Sequence, residues 1–294
     1  MTRRPPRRPN GWAYGLLLPA LAVFVLFYVW PNLEIFYLSF FNWSGISPQK
    51  TFIGLANYRA LLQDDLFLFS LRNTALIAAV SVFVQIPIAV GLALALEEPT
   101  RTNRVLSAII FLPIVISLAA TALIWTWLLD PSFGAVNWAL EAVGLDVWAR
   151  AWLAEPQTAF PTILLVTNWV YIGLYMVLFI AGLKAIPRNL YDAAKVDGLS
   201  RAQTALQVSV PLLREVIIVA LILAITGSFK AFDLIWIMTG GGPASATEVA
   251  PTVIYQTAFR RLQSGYAASQ AVVVFLVALS LVLVQLRVTR AREA

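Results

Sequence analysis

The sequence predicts an all-α polytopic membrane protein with about six transmembrane helices. Three observations predict it. Of 294 residues, 60% are hydrophobic and only 12% are charged, whereas a soluble domain is about half apolar and a quarter charged. Mean hydropathy is +0.79. About six runs approach the ~20 apolar residues that a membrane helix needs, and none shows the shorter alternating pattern of a barrel strand.

Composition also excludes chemistry. The chain has no cysteine and no histidine. Disulfides, thiolate nucleophiles, Cys-based metal sites and imidazole bases are therefore absent from its repertoire. The net charge of +6 fits Lys and Arg gathered in cytoplasmic loops better than it fits nucleic-acid binding.

The first run, 12–30, follows the basic stretch "MTRRPPRRP". It lacks a small-residue cleavage site and continues as "LFYVWPNLEIFYLSFFNW", so it reads as a retained span and not a signal peptide. The other runs fall at 72–96, 105–129, 159–183, 215–238 and 267–287. Gln85, Pro87 and Pro113 within them read as helix-packing and kink positions.

Orientation follows from Lys and Arg. With the N-terminus inside, the inner segments carry Arg3, Arg4, Arg7, Arg8, Arg101, Arg104, Lys184, Arg188, Lys195, Arg201, Arg214, Arg287, Arg290 and Arg292. The outer segments carry only Lys50, Arg59, Arg72, Arg150, Arg260 and Arg261. Both termini are thus expected in the cytoplasm. The chain divides into a basic tail at 1–11, a first span at 12–30, an extracytoplasmic loop at 31–71, a transmembrane core at 72–287 and a cytoplasmic tail at 288–294. Trp43, Trp127, Trp138, Trp148 and Trp152 fall near the outer boundary, as an interfacial aromatic belt predicts.

One polar segment interrupts the oil: "YDAAKVDGLSRAQTALQVSVP", Tyr191 to Pro211. Leu190, Ala193, Ala194 and Asp197 recur on one helix face. Gly198 reads as the stop after that helix. Ser200 with Gln203 three residues on reads as a capping box that starts a second helix, and Pro211 breaks or bends it. The result is a helix–turn–helix on the cytoplasmic face. A plain connection needs only a few residues, so this segment reads as a docking element with a partly apolar surface that a partner covers.

The same residues carry a family resemblance. Asp192, Ala193, Ala194, Asp197, Gly198, Val208, Val210 and Pro211 resemble the EAA motif of ABC-importer permeases, with Asp for the usual Glu, Leu199 for Ala, and Ala205 where an aromatic is common. "FIGLANYRALLQDD", "LKAIPRNLYDAAKVDG" and "MTGGGPASATE" extend the resemblance, over nearly the whole chain, to the first permease subunit of carbohydrate-uptake importers of the maltose and glycerol-3-phosphate type. The resemblance implies a type I importer (MetI-like) fold, with a five-helix core preceded by one extra helix, in a bacterial cell membrane. It implies three kinds of partner: a second homologous permease, two copies of a cytoplasmic ATPase and an extracytoplasmic solute-binding protein. It makes segment 188–211 the ATPase-coupling element, with Asp192, Lys195, Asp197 and Arg201 as candidate polar contacts.

No G-x-x-x-x-G-K-[ST] occurs, and the run from Gly240 to Pro243 reads as a turn. The chain is therefore expected to be non-catalytic and to bind no cofactor, with ATP and Mg held by the partner subunits.

Polar residues inside spans default to functional candidates. Thr167, Asn168, Tyr171 and Tyr175 in the fourth span, with Thr226, Ser228, Lys230 and Asp233 in the fifth, combine the amide, hydroxyl and aromatic groups that a sugar pocket needs. The resemblance to maltose-type permeases places the pathway at Thr167, Val170, Tyr171 and Leu174 and at Ala224, Gly227, Ser228 and Ala231, with few identities kept. The substrate class expected is an oligosaccharide or a related polyol or glycerophosphate. Lys230 hints at an anionic one. On a continuous helix, Lys230 and Asp233 are also spaced to pair. An ion-coupled secondary sugar transporter is the alternative. It calls for an internal repeat and intramembrane ionisable residues; no half-and-half repeat is visible, and Lys230 with Asp233 is the one strong ionisable feature.

Overall fold

The structure, a computed structural model, describes residues 11–290. The basic tail that carries Arg3, Arg4, Arg7 and Arg8, and the C-terminal residues 291–294 with Arg292, lie outside the described residues.

Helix α1 runs through Gly11–Phe24, a π-turn at Val25–Val29, and Trp30–Leu38. It continues eight residues past the end expected at 30. A two-stranded hairpin follows, β1 (Phe41–Asn42) with β2 (Thr51–Phe52), antiparallel with Phe41 opposite Phe52. Next come α2 (Ala56–Leu61) and the long α3 (Asp65–Leu96), which the side chain of Asp64 caps by accepting from the backbone N–H of Phe67. Helices α4 (Arg101–Val115) and α5 (Leu118–Leu128) follow, then α6 (Ala135–Ala142) and the 30-residue α7 (Pro156–Ala185). The helix–turn–helix is α8 (Arg188–Val196) and α9 (Arg201–Leu212). The chain ends with α10 (Arg214–Ser228), α11 (Asp233–Thr239), α12 (residues 250–260, closing in a π-turn) and α13 (Ser264–Arg290).

Among the described residues four helices are long and apolar enough to cross a membrane: Gly15–Leu38, Asp65–Leu96, Pro156–Ala185 and Ser264–Arg287. Two bent pairs, α4 with α5 at 100° and α9 with α10 at 69°, raise the count to as many as six.

Two spans expected to be single helices are broken. The run at 105–129 splits where Ile116 and Ser117 turn extended, with ψ of 139° and 133°. Pro113, three residues earlier, has no N–H to give the preceding turn. The run at 215–238 splits at 229–232, so α10 and α11 are separate helices.

The π-turns have a local cause. Three of them end two residues before a proline: Val25–Val29 before Pro31, Ser81–Gln85 before Pro87, and Ala205–Ser209 before Pro211. A proline ring clashes with the carbonyl four residues back. Widening the turn moves that carbonyl aside, and the residue before each proline donates instead to the carbonyl five back, as Ile86 does to Ser81.

α7 is the axis of the bundle. Ile163, Val166 and Val170 sit in one buried cluster with Leu234, Ile235 and Met238 of α11. Met176, Phe179 and Leu183 sit in a second, with Ile86, Ala89 and Ala93 of α3 and Ala220 and Ala224 of α10. Gly173 lies between the two clusters. A Cβ there would collide with the carbonyl oxygen of Ile110 and stand 2.7 Å from Phe111 Cα, so α4 crosses α7 backbone to backbone. In lipid, where burial itself drives little, such close packing by small residues is what holds helices together.

The hairpin side of the molecule is pinned by polar contacts. Asn57 Nδ2 donates to the carbonyls of Ser39 (2.9 Å) and Phe41 (3.1 Å). The Tyr266 hydroxyl donates to Asp64 Oδ2 at 2.8 Å. Of the expected belt, Trp127, Trp138 and Trp148 are exposed, but Trp152 packs against the core and donates its indole N–H to Asn137 Oδ1 at 2.8 Å. Trp152 therefore also has a structural role.

Gly173→Val is expected to destabilise the detergent-solubilised protein by about 3 kcal/mol or more through overpacking at the α4–α7 crossing. Gly91→Ala, where nothing lies within 4 Å of the added Cβ, should change stability by less than about 1 kcal/mol. Chemical unfolding followed by circular dichroism in one detergent compares the two.

Candidate functional site

The helix–turn–helix is built by local chemistry. Gly198 has φ +72°, a left-handed conformation that costs a side-chain-bearing residue about 1–2 kcal/mol. The N–H of Leu199 donates to Ala194 O at 3.0 Å, and that of Gly198 to Lys195 O at 3.1 Å. Together they form the Schellman closure of α8. One residue on, Ser200 and Gln203 form the capping box of α9. The Tyr191 and Ser209 hydroxyls lie 3.3 Å apart and join the two helices. Two helix ends and one cross-link thus fix the angle between the arms.

The knuckle has an inner and an outer side. Ala194 is buried, while Ala193, Asp192, Lys195, Asp197, Gly198, Arg201 and Pro211 are exposed. Val196 is 88% and Leu206 70% exposed, and Leu190 and Leu212 are exposed as well, so aliphatic side chains are interspersed with the charges on this surface. Lys195 pairs with Asp192 at 3.8 Å within α8, and Arg201 reaches Glu98 at 3.3 Å, beyond the end of α3. Both pairs are solvent-exposed and contribute little to stability. Glu97 beside them has its carboxyl pushed above the usual range, first by burial and then by the charge of Glu98, against a downward pull from Arg201.

The second group of residues, on α7 and α10–α11, is divided by the structure. Val170, Tyr175 and Ser228 are buried, and Ser228 donates its hydroxyl to Ala224 O at 2.8 Å. Thr226 donates likewise to Ile222 O. Ala224 is buried and Ala231 packs on the core. Asn168 donates to Leu164 O at 2.7 Å and its backbone carbonyl accepts from Gln85 Nε2 at 3.2 Å. Its Oδ1 is buried without a partner. Gln85 is thus a packing residue, as expected. Thr167 and Tyr171 are half-buried, and Leu174 and Gly227 are exposed.

Lys230 and Asp233 do not form the expected pair. Lys230 lies in the turn after α10 and Asp233 opens α11. No ion pair joins them, because the helix that would set their spacing is interrupted; both are exposed.

Sequence reasoning read the turn from Gly240 to Pro243 but not what lies beneath it. Gly240 and Gly241 have φ of +60° and +94°, and a Cβ on Gly241 would collide with the Glu248 carboxylate. Glu248 is buried and accepts from the Thr252 hydroxyl and from Gln256 Nε2. Asn73 Nδ2 ties α3 to this region through Ala246 O (3.1 Å) and Glu248 O (2.9 Å). The acid inside "ATE" was the one signal available; its carboxylate is held by residues four and eight positions on, while Asn73, which holds the backbone there, lies 173 to 175 residues away in the chain.

A bundle of long and broken apolar helices around one axial helix, with one polar helix–turn–helix between spans, defines the class of polytopic membrane proteins. The chain belongs to the family of binding-protein-dependent transport system inner membrane components, whose model matches residues 71–292. It is similar to the probable ABC transporter permease protein YurN of Bacillus subtilis, at 39% identity over 93% of this chain and 94% of that one. It is also similar to the trehalose/maltose transport system permease protein MalF of Thermococcus litoralis, at 34% identity over 100% and 98%. Among solved structures, a chain of a bacterial ABC transporter involved in the import of the acidic polysaccharide alginate superposes with a TM-score of 0.83, at 26% identity and 95% coverage of both chains. The chain is thus an inner-membrane ABC-import permease of the type I fold, as its sequence resemblance implied. Ion-coupled secondary transport draws no support from the fold or the relatives.

Replacing Gly198 by Val should open the α8–α9 turn, and Ser200→Ala should weaken the start of α9 by about 1 kcal/mol. Hydrogen exchange across 196–204 should speed up in both variants and stay unchanged in α7.

Proposed function

We propose that this chain is one of two permease subunits of an ATP-driven, binding-protein-dependent importer for a carbohydrate, an oligosaccharide or a related polyol or glycerophosphate. The second permease is a homologue, two copies of a cytoplasmic ATPase bind ATP and Mg, and an extracytoplasmic solute-binding protein delivers the substrate. This chain is non-catalytic. Both termini and the segment 188–211 lie on the cytoplasmic side, in keeping with the Lys and Arg bias.

The observation that carries the coupling role is the exposed aliphatic crown of the knuckle, led by Val196 and Leu206 and joined by Leu190 and Leu212, set among charged side chains. Exposed apolar groups on a rigid element outside the bilayer are what a protein partner covers. Asp192, Ala193, Lys195, Asp197 and Arg201 surround that crown and set its register on the ATPase, Ala194 packs the inner side, and Gly198 and Pro211 fix the arms. Closure of the ATPase pair then turns α9 and, through the single residue Leu213, α10.

The carbohydrate reading is supported by the trehalose/maltose relative and by the alginate importer. Thr167, Asn168, Tyr171 and Leu174, with Gly227, Lys230, Ala231 and Asp233, are the pathway residues this reading favours. Val170, Tyr175 and Ser228 shape that wall from behind.

Val196→Asp and Leu206→Asp should each lower recovery of the ATPase with the tagged, co-expressed importer by about tenfold and abolish uptake, with the melting temperature of the permease unchanged. Normal uptake in both variants would overturn the coupling role.

A further inference from the structure

At the end of the bundle remote from the knuckle, α11 and α12 bring four aromatic rings together. Phe232 stacks on Trp236 with centroids 5.5 Å apart and planes 14° off parallel. Tyr255 meets Trp236 edge-on at 4.9 Å and Phe259 at 5.2 Å. The outer rings remain open, Tyr255 at 36% and Phe259 at 70% exposure. Above them the Arg260 guanidinium lies 4.9 Å from the Trp236 ring centroid.

This arrangement fixes the plane of a cation and leaves its donors available. Stacking on an indole holds a guanidinium face without using its N–H edge. Among the described residues the ion pairs are Lys195–Asp192 and Arg201–Glu98, and no described carboxylate takes that edge. Lys230, also exposed, sits in the turn two residues before Phe232. That turn carries Lys230 and Ala231 of the proposed pathway, with Gly227 and Asp233 in the helices on either side of it, so the platform adjoins the proposed route.

We propose that Arg260, laid on Trp236, recognises the acidic group of an anionic carbohydrate, with the sugar ring packed on Tyr255 and Phe259. A planar fork matches the two oxygens of a carboxylate, sulfonate or phosphate. Aromatic rings supply the flat apolar surface that the C–H face of a sugar needs. The inference rests on the carbohydrate-import reading and narrows it to acidic sugars.

The test uses the complete importer in lipid nanodiscs, with trigalacturonate and the neutral maltotriose as probes in saturation-transfer difference NMR. Trigalacturonate should receive magnetisation from aromatic protons in the wild type. Arg260→Gln should weaken its affinity by about tenfold and leave maltotriose unaffected, whereas Phe259→Ala should weaken both. Equal binding of trigalacturonate by Arg260→Gln and wild type overturns the inference while sugar import stands. Loss of the second permease from the Arg260→Gln preparation overturns it too, since the surface would then be a subunit interface. If the wild-type importer takes up no sugar but does import another class of solute, the carbohydrate reading itself fails, and the inference with it.

Discussion

Helix α7 touches α3, α4, α10 and α11, and its packing seam is the constraint on which the rest of the bundle depends. Ile163, Val166, Val170, Met176, Phe179 and Leu183 are all at most 3% exposed, and with Gly173 between Val170 and Met176 they follow one another every three or four residues along one face. Gly173 falls between the upper and lower parts of that face. Because its missing side chain admits the backbone of α4, the clusters on either side of it share one axis. Inside lipid no water satisfies a stray polar group, and the spans meet that demand internally. Ser228, Thr226, Thr126 and Asn168 each donate to a carbonyl four residues back in the same helix. Side chains bound in this way satisfy their own donors inside the helix, while the Oδ1 of Asn168 keeps its accepting capacity.

What the sequence made legible depended on the range of the interaction. Composition and run length alone marked the membrane-spanning segments, because a bilayer selects for apolar length and little else. The Gly198 stop and the Ser200–Gln203 box were legible because both are closed by residues within a few positions. The break at 229–232 was not. Phe229, Ala231 and Phe232 keep the run apolar across it, and hydropathy does not register a change of backbone direction. The wall of the pathway was only half legible for the same reason. Thr167, Val170, Tyr171 and Leu174 stand at i, i+3, i+4 and i+7 on one face of α7, and only tertiary packing decides that Val170 is sealed and Leu174 open. The Glu248 network depends on Asn73, more than 170 residues away, and no local pattern announces it.

Prolines show how sequence and geometry reconcile. A proline inside a span ordinarily costs a hydrogen bond and a kink. Here Pro31, Pro87 and Pro211 each follow a π-turn that reroutes one bond to the carbonyl five residues back. The helices therefore stay continuous across these prolines. Pro113 has no such turn before it, and α4 ends two residues later. A π-turn is one way a span carries a proline, and Pro161 stays inside α7 without one.

The knuckle and the aromatic platform stand at opposite ends of α10, and α10 is the direct covalent path between them. Its fifteen residues span about 22 Å. At the knuckle end, Leu213 and Val216 fill the space beside Gly182 of α7, with the Leu213 Cδ2 only 2.7 Å from where a Cβ would stand. Further along, the face of α10 turned to the core is Ala220 and Ala224, whose short side chains offer shallow ridges. A helix anchored at one end and smoothly packed beyond it can slide and rotate as a unit, the shear type of motion. The stiff α8–α9 turn prevents that motion from dissipating before it reaches Leu213. The turn at 229–232 lets α11 keep its seat against Ile163, Val166 and Val170 while α10 moves. Under the proposed coupling role, the break in the fifth span separates the end of this chain that follows the ATPase from the end that keeps its packing.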